Sequence, residues 1–317
     1  MNNVVYESFP EWFLISETVS LVILFAIFVV SSAIYLMEIQ ILFAFRNTNF
    51  KGPFYRLMFI GIFVDILSAL NIFALQIIPA RGWFSSFYIA NQSWTGAIFY
   101  SITYSGRCVQ GATATILSFC RVSAVCFPIF YQKLNHPKYT YIMQILQLSG
   151  AVVSVILLLP RAYKYDNENG GYYSAFVNNE FRKPFFNFVA GIEVCFVVLI
   201  VVNNFAAYMT YRNALKKLTA NREKQKKESS LDKMTAIVCF VELLYFAFVV
   251  YSLQINQTMN KRVFYFLYNI LGVIYSTFSA WMLLLFSRPI TVQFKQRVSK
   301  LIVRSKRISI SIQGSSR

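Results

Sequence analysis

Residues 19–45 read VSLVILFAIFVVSSAIYLMEIQILFAF, 27 positions with one ionisable side chain, Glu38. About 20 apolar residues in helical form cross the hydrocarbon core of a bilayer. A surface helix of a soluble protein carries a polar face along its whole length, and this stretch has none. It is also too long for the apolar core of a signal peptide, and the segment before it holds Glu7, Glu11 and Glu17 but no Lys or Arg. It is read as a signal-anchor span.

Six further apolar runs follow, at 54–78, 97–127, 139–159, 185–211, 232–254 and 263–287. The third run of the seven is the longest, so it is expected to tilt or to continue beyond the bilayer. All eight prolines (Pro10, Pro53, Pro79, Pro128, Pro137, Pro160, Pro184, Pro289) fall in the gaps or at their edges. Proline removes a backbone donor and crowds the preceding turn, so this placement supports the division. Whole-chain composition agrees: 57 % of the 317 residues are hydrophobic and 14 % charged, against about 45–50 % and about 25 % in soluble domains. The expected fold is an all-α integral membrane bundle of seven helices, 19–287, preceded by an extracellular segment, 1–18, and followed by a basic cytosolic tail, 288–317.

Lys and Arg fix the expected orientation. Twenty-two lie in the first, third and fifth loops and the tail, and seven in the opposite loops; Arg107 is inside the third span. The basic side is read as cytosolic, which puts the amino terminus outside. The net charge of +17 is thus strung between spans along the inner membrane face. Nucleic acid is not an expected partner, and anionic lipid is. Two glycosylation sequons, at Asn91 and Asn256, fall in loops placed outside by the same count. The tail repeats Ile290, Phe294, Val298, Leu301 and Ile302 among basic residues, the pattern of an amphipathic helix lying on an anionic inner leaflet.

His136 is the one histidine, and the five cysteines all sit in apolar stretches. No metal site, disulfide framework, cofactor or catalytic triad is expected, and the chain is not read as an enzyme.

Ionisable groups inside a span are costly and default to functional candidates. Arg107 lies about 15 Å into the third span and Glu193 about 12 Å into the fifth, at 1.5 Å per residue. The two either pair with each other or engage a charged group of a ligand. Phe99, Tyr100, Tyr104, Phe196 and Tyr268 stand at similar depth, and an aromatic cleft with few polar anchors is how small-molecule sites are built. Asp65, mid-way along the second span, is a structural or switching link. Glu242 and Glu38 fit a silent buried role equally well. Arg121 falls within about 40° of the face of Arg107, at the cytosolic end of the same helix. Arg212, Lys216 and Lys217 open a polar, basic loop able to extend two helices into the cytosol.

The local motifs point further. The second span opens Phe54-Tyr55-Arg56-Leu57-Met58-Phe59 and carries Asp65. The third closes Ser118-Phe119-Cys120-Arg121, followed by Phe127-Pro128-Ile129-Phe130-Tyr131, and the seventh closes Ser287-Arg288-Pro289-Ile290. In order and spacing, from Tyr55 to Pro289, these resemble the nematode chemosensory serpentine receptors, most closely class gamma, with the sister class v next. The family often has Asn where this chain has Cys120. The resemblance implies a G-protein-coupled-type receptor in the plasma membrane of sensory neurons. It implies a small-molecule ligand, a heterotrimeric G protein as partner, and a coupling role for Arg121. A transporter or ligand-gated channel subunit is the alternative; the lack of an internal repeat weighs against it.

Overall fold

The computed structural model describes residues 9–46, 50, 52–168, 171–217, 237–248, 250–251 and 260–300. Its helices are α1 (Glu11–Ala44), α2 (Pro53–Ala80), α3 (Ser85–Ala90), α4 (Gln92–Cys126), α5 (Pro128–Leu134), α6 (Pro137–Leu158), α7 (Asn179–Lys217), α8 (Ile237–Phe248), α9 (Lys261–Phe286) and α10 (288–300). Among the described residues, six helices are long and apolar enough to cross a membrane. The expected span at 232–254 is described chiefly through α8, a shorter apolar helix of the same character. The helices overrun the apolar runs at several ends. α1 begins at Glu11, inside the segment 1–18, and α7 begins at Asn179, six residues ahead of its run.

Proline falls within a long helix at two positions, Pro184 and Pro79. Pro184 lies inside α7, where the sequence reading placed every proline outside a span. It sits in the second turn, close to the helix start, where few intrahelical bonds have begun and one lost donor is tolerated. Pro53, Pro128 and Pro137 open their helices at the first turn, as proline favours. In α2 the residues before Pro79 widen into a π turn, Phe73–Ile77. Pro79 cannot donate to the Leu75 carbonyl and its ring crowds that oxygen, and the wider turn relieves the clash. The nearby Ala74 carbonyl accepts instead from the Tyr88 hydroxyl of α3, at 2.5 Å.

The fold is not wholly helical. Between α6 and α7 stands an antiparallel hairpin, β1 (Tyr163–Glu168) and β2 (Gly171–Phe176), paired from Tyr163–Phe176 to Glu168–Gly171. Tyr163, Tyr173 and Phe176 are buried against the helix ends. Burial pushes the Tyr163 hydroxyl up to about 12, so it stays protonated and donates to the Leu158 carbonyl at 2.7 Å.

α4 is the central helix, packed on α2, α6 and α7, while α1 lies against α2 and α9. Small residues bring the helices close. Gly106 leaves room for Ser68 of α2, and Gly111 for the ring of Phe196 of α7; a methyl group at either would overlap them. One apolar cluster under the hairpin gathers Phe99, Tyr100, Leu158, Tyr163, Phe176 and Phe185. Another, at the opposite end, gathers Ile41, Leu42, Met58, Ile62 and Leu283. Ile290 of α10 is fully buried in that second cluster and Phe294 packs on it. Of the five residues expected to face lipid, these two therefore face the bundle, and Arg297 of α10 bonds Gln40 of α1 at 3.2 Å. Residues 301–317, the rest of the expected tail helix, lie outside the described residues.

Candidate ligand-binding site

Counted from the starts of α4 and α7, Arg107 and Glu193 are each about 21–22 Å along their helices, and the two meet. Arg107 Nε donates to Glu193 Oε1 at 3.1 Å, and Nη2 to Oε2 at 3.0 Å. This is the bidentate geometry that the planar guanidinium favours. A third helix joins them: Glu242 Oε2 of α8 stands 3.7 Å from the same Nη2. Tyr275 of α9 donates to Glu242 Oε1. The guanidinium carbon lies 3.7 Å from the ring centre of Tyr245 and 4.1 Å from that of Tyr275. All three charged side chains are buried. Of the two sequence readings of Arg107 and Glu193, mutual pairing is the one present.

Above this cluster is a cavity of about 150 Å³. Arg107, Glu193, Thr103, Tyr104 and Tyr268 line it from the helices, and Tyr173, Ser174 and Ala175 of β2 line it from the hairpin. The hairpin is tied down at this point. The Tyr100 hydroxyl donates to the Ser174 carbonyl at 2.8 Å, and Tyr173 stacks on Tyr265 with ring centres 4.7 Å apart. Below the floor a second, smaller void of about 20 Å³ is lined by Ser68, Gln110, Gly272 and Ser276, and Thr103, Arg107, Tyr245 and Tyr268 border both spaces.

A further polar knot lies deeper. Asp65 accepts from Gln110 Nε2 at 2.6 Å, from the Tyr35 hydroxyl at 3.0 Å, and from Ser279. Tyr35 also donates to the Ser276 carbonyl at 2.8 Å. One carboxylate thus ties α1, α2, α4 and α9 together. Glu38, one turn from Tyr35, is fully buried, and neither carboxylate oxygen has a hydrogen-bond partner among the described residues.

Six of the seven residues read as ligand candidates line the cavity: Phe99, Tyr100, Tyr104, Arg107, Glu193 and Tyr268. Phe196 does not; it is nearly a turn deeper, packed on Gly111. The sequence reading passed over Tyr245 and gave Glu242 no site role. It also passed over Phe186 and Val189 of α7, for which the sequence held a signal. Phe186, Val189 and Glu193 are spaced at the i, i+3, i+7 positions of one helix face, and all three line the cavity. The hairpin was missed too, although Asn169-Gly170 between two alternating stretches is a strong hairpin signal.

At the opposite end, Arg121 is half-buried on α4 and Arg212 is exposed near the end of α7, where Lys216 and Lys217 close the helix. Asn91, between α3 and α4, gives its amide to the Phe87 carbonyl and accepts from Trp94 Nε1, both at 2.9 Å. Asn256 lies outside the described residues.

A bundle of membrane-length helices around a lined cavity defines a multi-pass membrane protein. The particular family follows from comparison: the model of the serpentine type 7TM GPCR chemoreceptor Srv family matches residues 24–300, and the chain belongs to that family. It is a chemosensory receptor of the G-protein-coupled type, in a family of receptors rather than enzymes. The match corrects the order of the sequence reading, which put class gamma ahead of class v. No curated protein matches the chain.

Proposed function

We propose that this chain is a seven-span receptor with its amino terminus outside. A small molecule binds in the cavity under the hairpin, and the signal passes to a heterotrimeric G protein at the basic, cytosolic end. The observation that carries the reading is the cavity itself. Its floor is a charged cluster joining α4, α7 and α8, and its roof is a pinned hairpin. An occupant touches elements whose relative placement differs between packings of a bundle. It shifts the balance only by its differential affinity for the two packings.

The route inward runs along α4. Arg107 in the floor and Gln110 in the Asp65 knot are three residues apart on one helix. Arg121 continues toward the G-protein end, where Arg212, Lys216 and Lys217 supply a basic contact surface. The plasma membrane of sensory cells is the proposed location, with glycans on Asn91 and Asn256.

The test is G-protein dissociation in cells expressing the chain, with a panel of small molecules and a panel of G proteins. Wild type is compared with Arg121→Ala at matched surface level. A ligand response in wild type that is lost in Arg121→Ala supports coupling through α4. Ion current with no G-protein response to any ligand would contradict the proposal.

A further inference from the structure

The protein meets most of the charge at the cavity floor, although Arg107 Nη1 is buried without a hydrogen-bond partner among the described residues and Arg182 also lines the cavity. The Arg107 guanidinium gives one edge to both oxygens of Glu193, lies near Glu242, and rests against two tyrosine rings. Asp166 at the hairpin is paired with Lys164 at 2.9 Å. A ligand carboxylate at the floor would meet two glutamates for one arginine. A ligand ammonium would have to draw a glutamate away from Arg107, and a buried charge stripped of its partner is strongly destabilising.

Two further observations narrow the ligand. A cavity of about 150 Å³ holds benzene, so the space here takes one ring with a short substituent. Its walls include Phe99, Tyr104, Phe186, Phe248, Phe264 and Tyr268, which favour an aromatic guest in offset or edge contact. Among the wall hydroxyls, Thr103 is placed to give a hydrogen bond. It accepts from Asn71 Nδ2 at 3.0 Å. Unlike Thr113 and Thr115 of the same helix, it does not donate back to the carbonyl four residues earlier. Its hydroxyl proton has no acceptor among the described residues and is left for one in the cavity; Arg107 Nη1 and Ser174 Oγ, also of lining residues, are likewise without a partner there.

We infer that the ligand is a neutral, single-ring compound bearing one hydrogen-bond acceptor, such as a ketone, ester or ether oxygen, which Thr103 engages. This rests on the cavity being the ligand site.

The test uses the purified full-length receptor in lipid nanodiscs and its thermal unfolding midpoint. The probes are acetophenone, ethylbenzene, benzoate, benzylammonium and 2-acetylnaphthalene. Acetophenone is expected to raise the midpoint by mass action, and the two ions and the two-ring ketone are not. Ala175→Phe and Val189→Phe fill the cavity from two different elements, and each is expected to abolish the shift. Thr103→Val is expected to weaken acetophenone about five- to ten-fold relative to ethylbenzene, the scale of one neutral hydrogen bond. Comparing the two compounds cancels any general effect of the variant on folding.

Tighter binding of benzoate or benzylammonium, lost in both filled variants, overturns the ligand class and leaves the cavity as the site. A shift that survives both fillings overturns the cavity as well. No shift with either neutral single-ring compound at about 1 mM, the weak end of measurable affinity, also overturns the class.

Discussion

At the scale of single residues, the Arg107 cluster and Glu38 make opposite demands. Arg107 and Glu193 are buried and doubly hydrogen-bonded. Removing one partner of such a pair costs about 3–5 kcal/mol, whereas replacing both with apolar groups of similar size is often neutral. Glu193→Ala is therefore expected to lower the unfolding free energy by about that amount, and Arg107→Met with Glu193→Leu to recover part of it, as read by denaturant or thermal unfolding. Equal losses in the single and double variants would show that the pair is not held as described. Glu38 is the converse case, a fully buried carboxyl with no partner among the described residues. A lone buried polar group costs about 1–3 kcal/mol. Glu38→Leu is expected to stabilise the receptor by about that amount, and a destabilised variant would mean that the carboxyl has a partner after all.

At the scale of elements, α4 and the hairpin carry the account. The hydrogen bond from Tyr100 of α4 to Ser174 of β2 holds the roof of the cavity. Tyr100→Phe removes it without altering the ring. Loss of about 1 kcal/mol there is expected to speed ligand dissociation about five-fold, read as the off-rate of a bound agonist, since changes within one interface fall mostly on dissociation. An unchanged off-rate would mean that the hairpin is not a barrier to exit. Further along α4, Gln110 joins the floor to the Asp65 knot. Gln110→Leu is expected to lower the maximal G-protein response while leaving the binding midpoint within about two-fold, about a third of the free energy of a tenfold change. A matching loss of binding would place Gln110 in the ligand contact instead.

The elements also show what was legible beforehand. The apolar runs announced the long helices because a lipid-facing helix has no need of a polar side. α7 turns Val198, Val202 and Phe205 outward. The equal depth of Arg107 and Glu193 was legible because rise per residue is fixed. What depth alone does not give is azimuth. Phe196, three residues past Glu193, is rotated by about 60° and set about 4.5 Å deeper, which takes it out of the cavity and onto Gly111. Glu242 eluded the reading for a related reason, since its value depends on which helices are neighbours. The hairpin was obscured by its position in a polar loop, where Tyr-rich alternation between apolar spans reads as loop composition.

At the scale of the whole molecule, the cavity and the basic end are separated by most of the length of the bundle, and the Asp65 knot lies between them. Four helices converge on that carboxylate, and Gln110 and Ser276 beside it line the smaller void. A ligand pressing on Thr103, Arg107, Tyr245 or Tyr268 acts on residues that border both spaces. Occupancy of the cavity under the hairpin is proposed to drive the response at the far end. The most direct measurement is an agonist dose–response of G-protein dissociation at matched surface expression. It compares wild type, Val189→Phe, which fills the cavity, and Val198→Phe, on the outward face of the same helix. The response is expected to be lost in Val189→Phe and kept in Val198→Phe. An undiminished response in Val189→Phe would contradict the proposal.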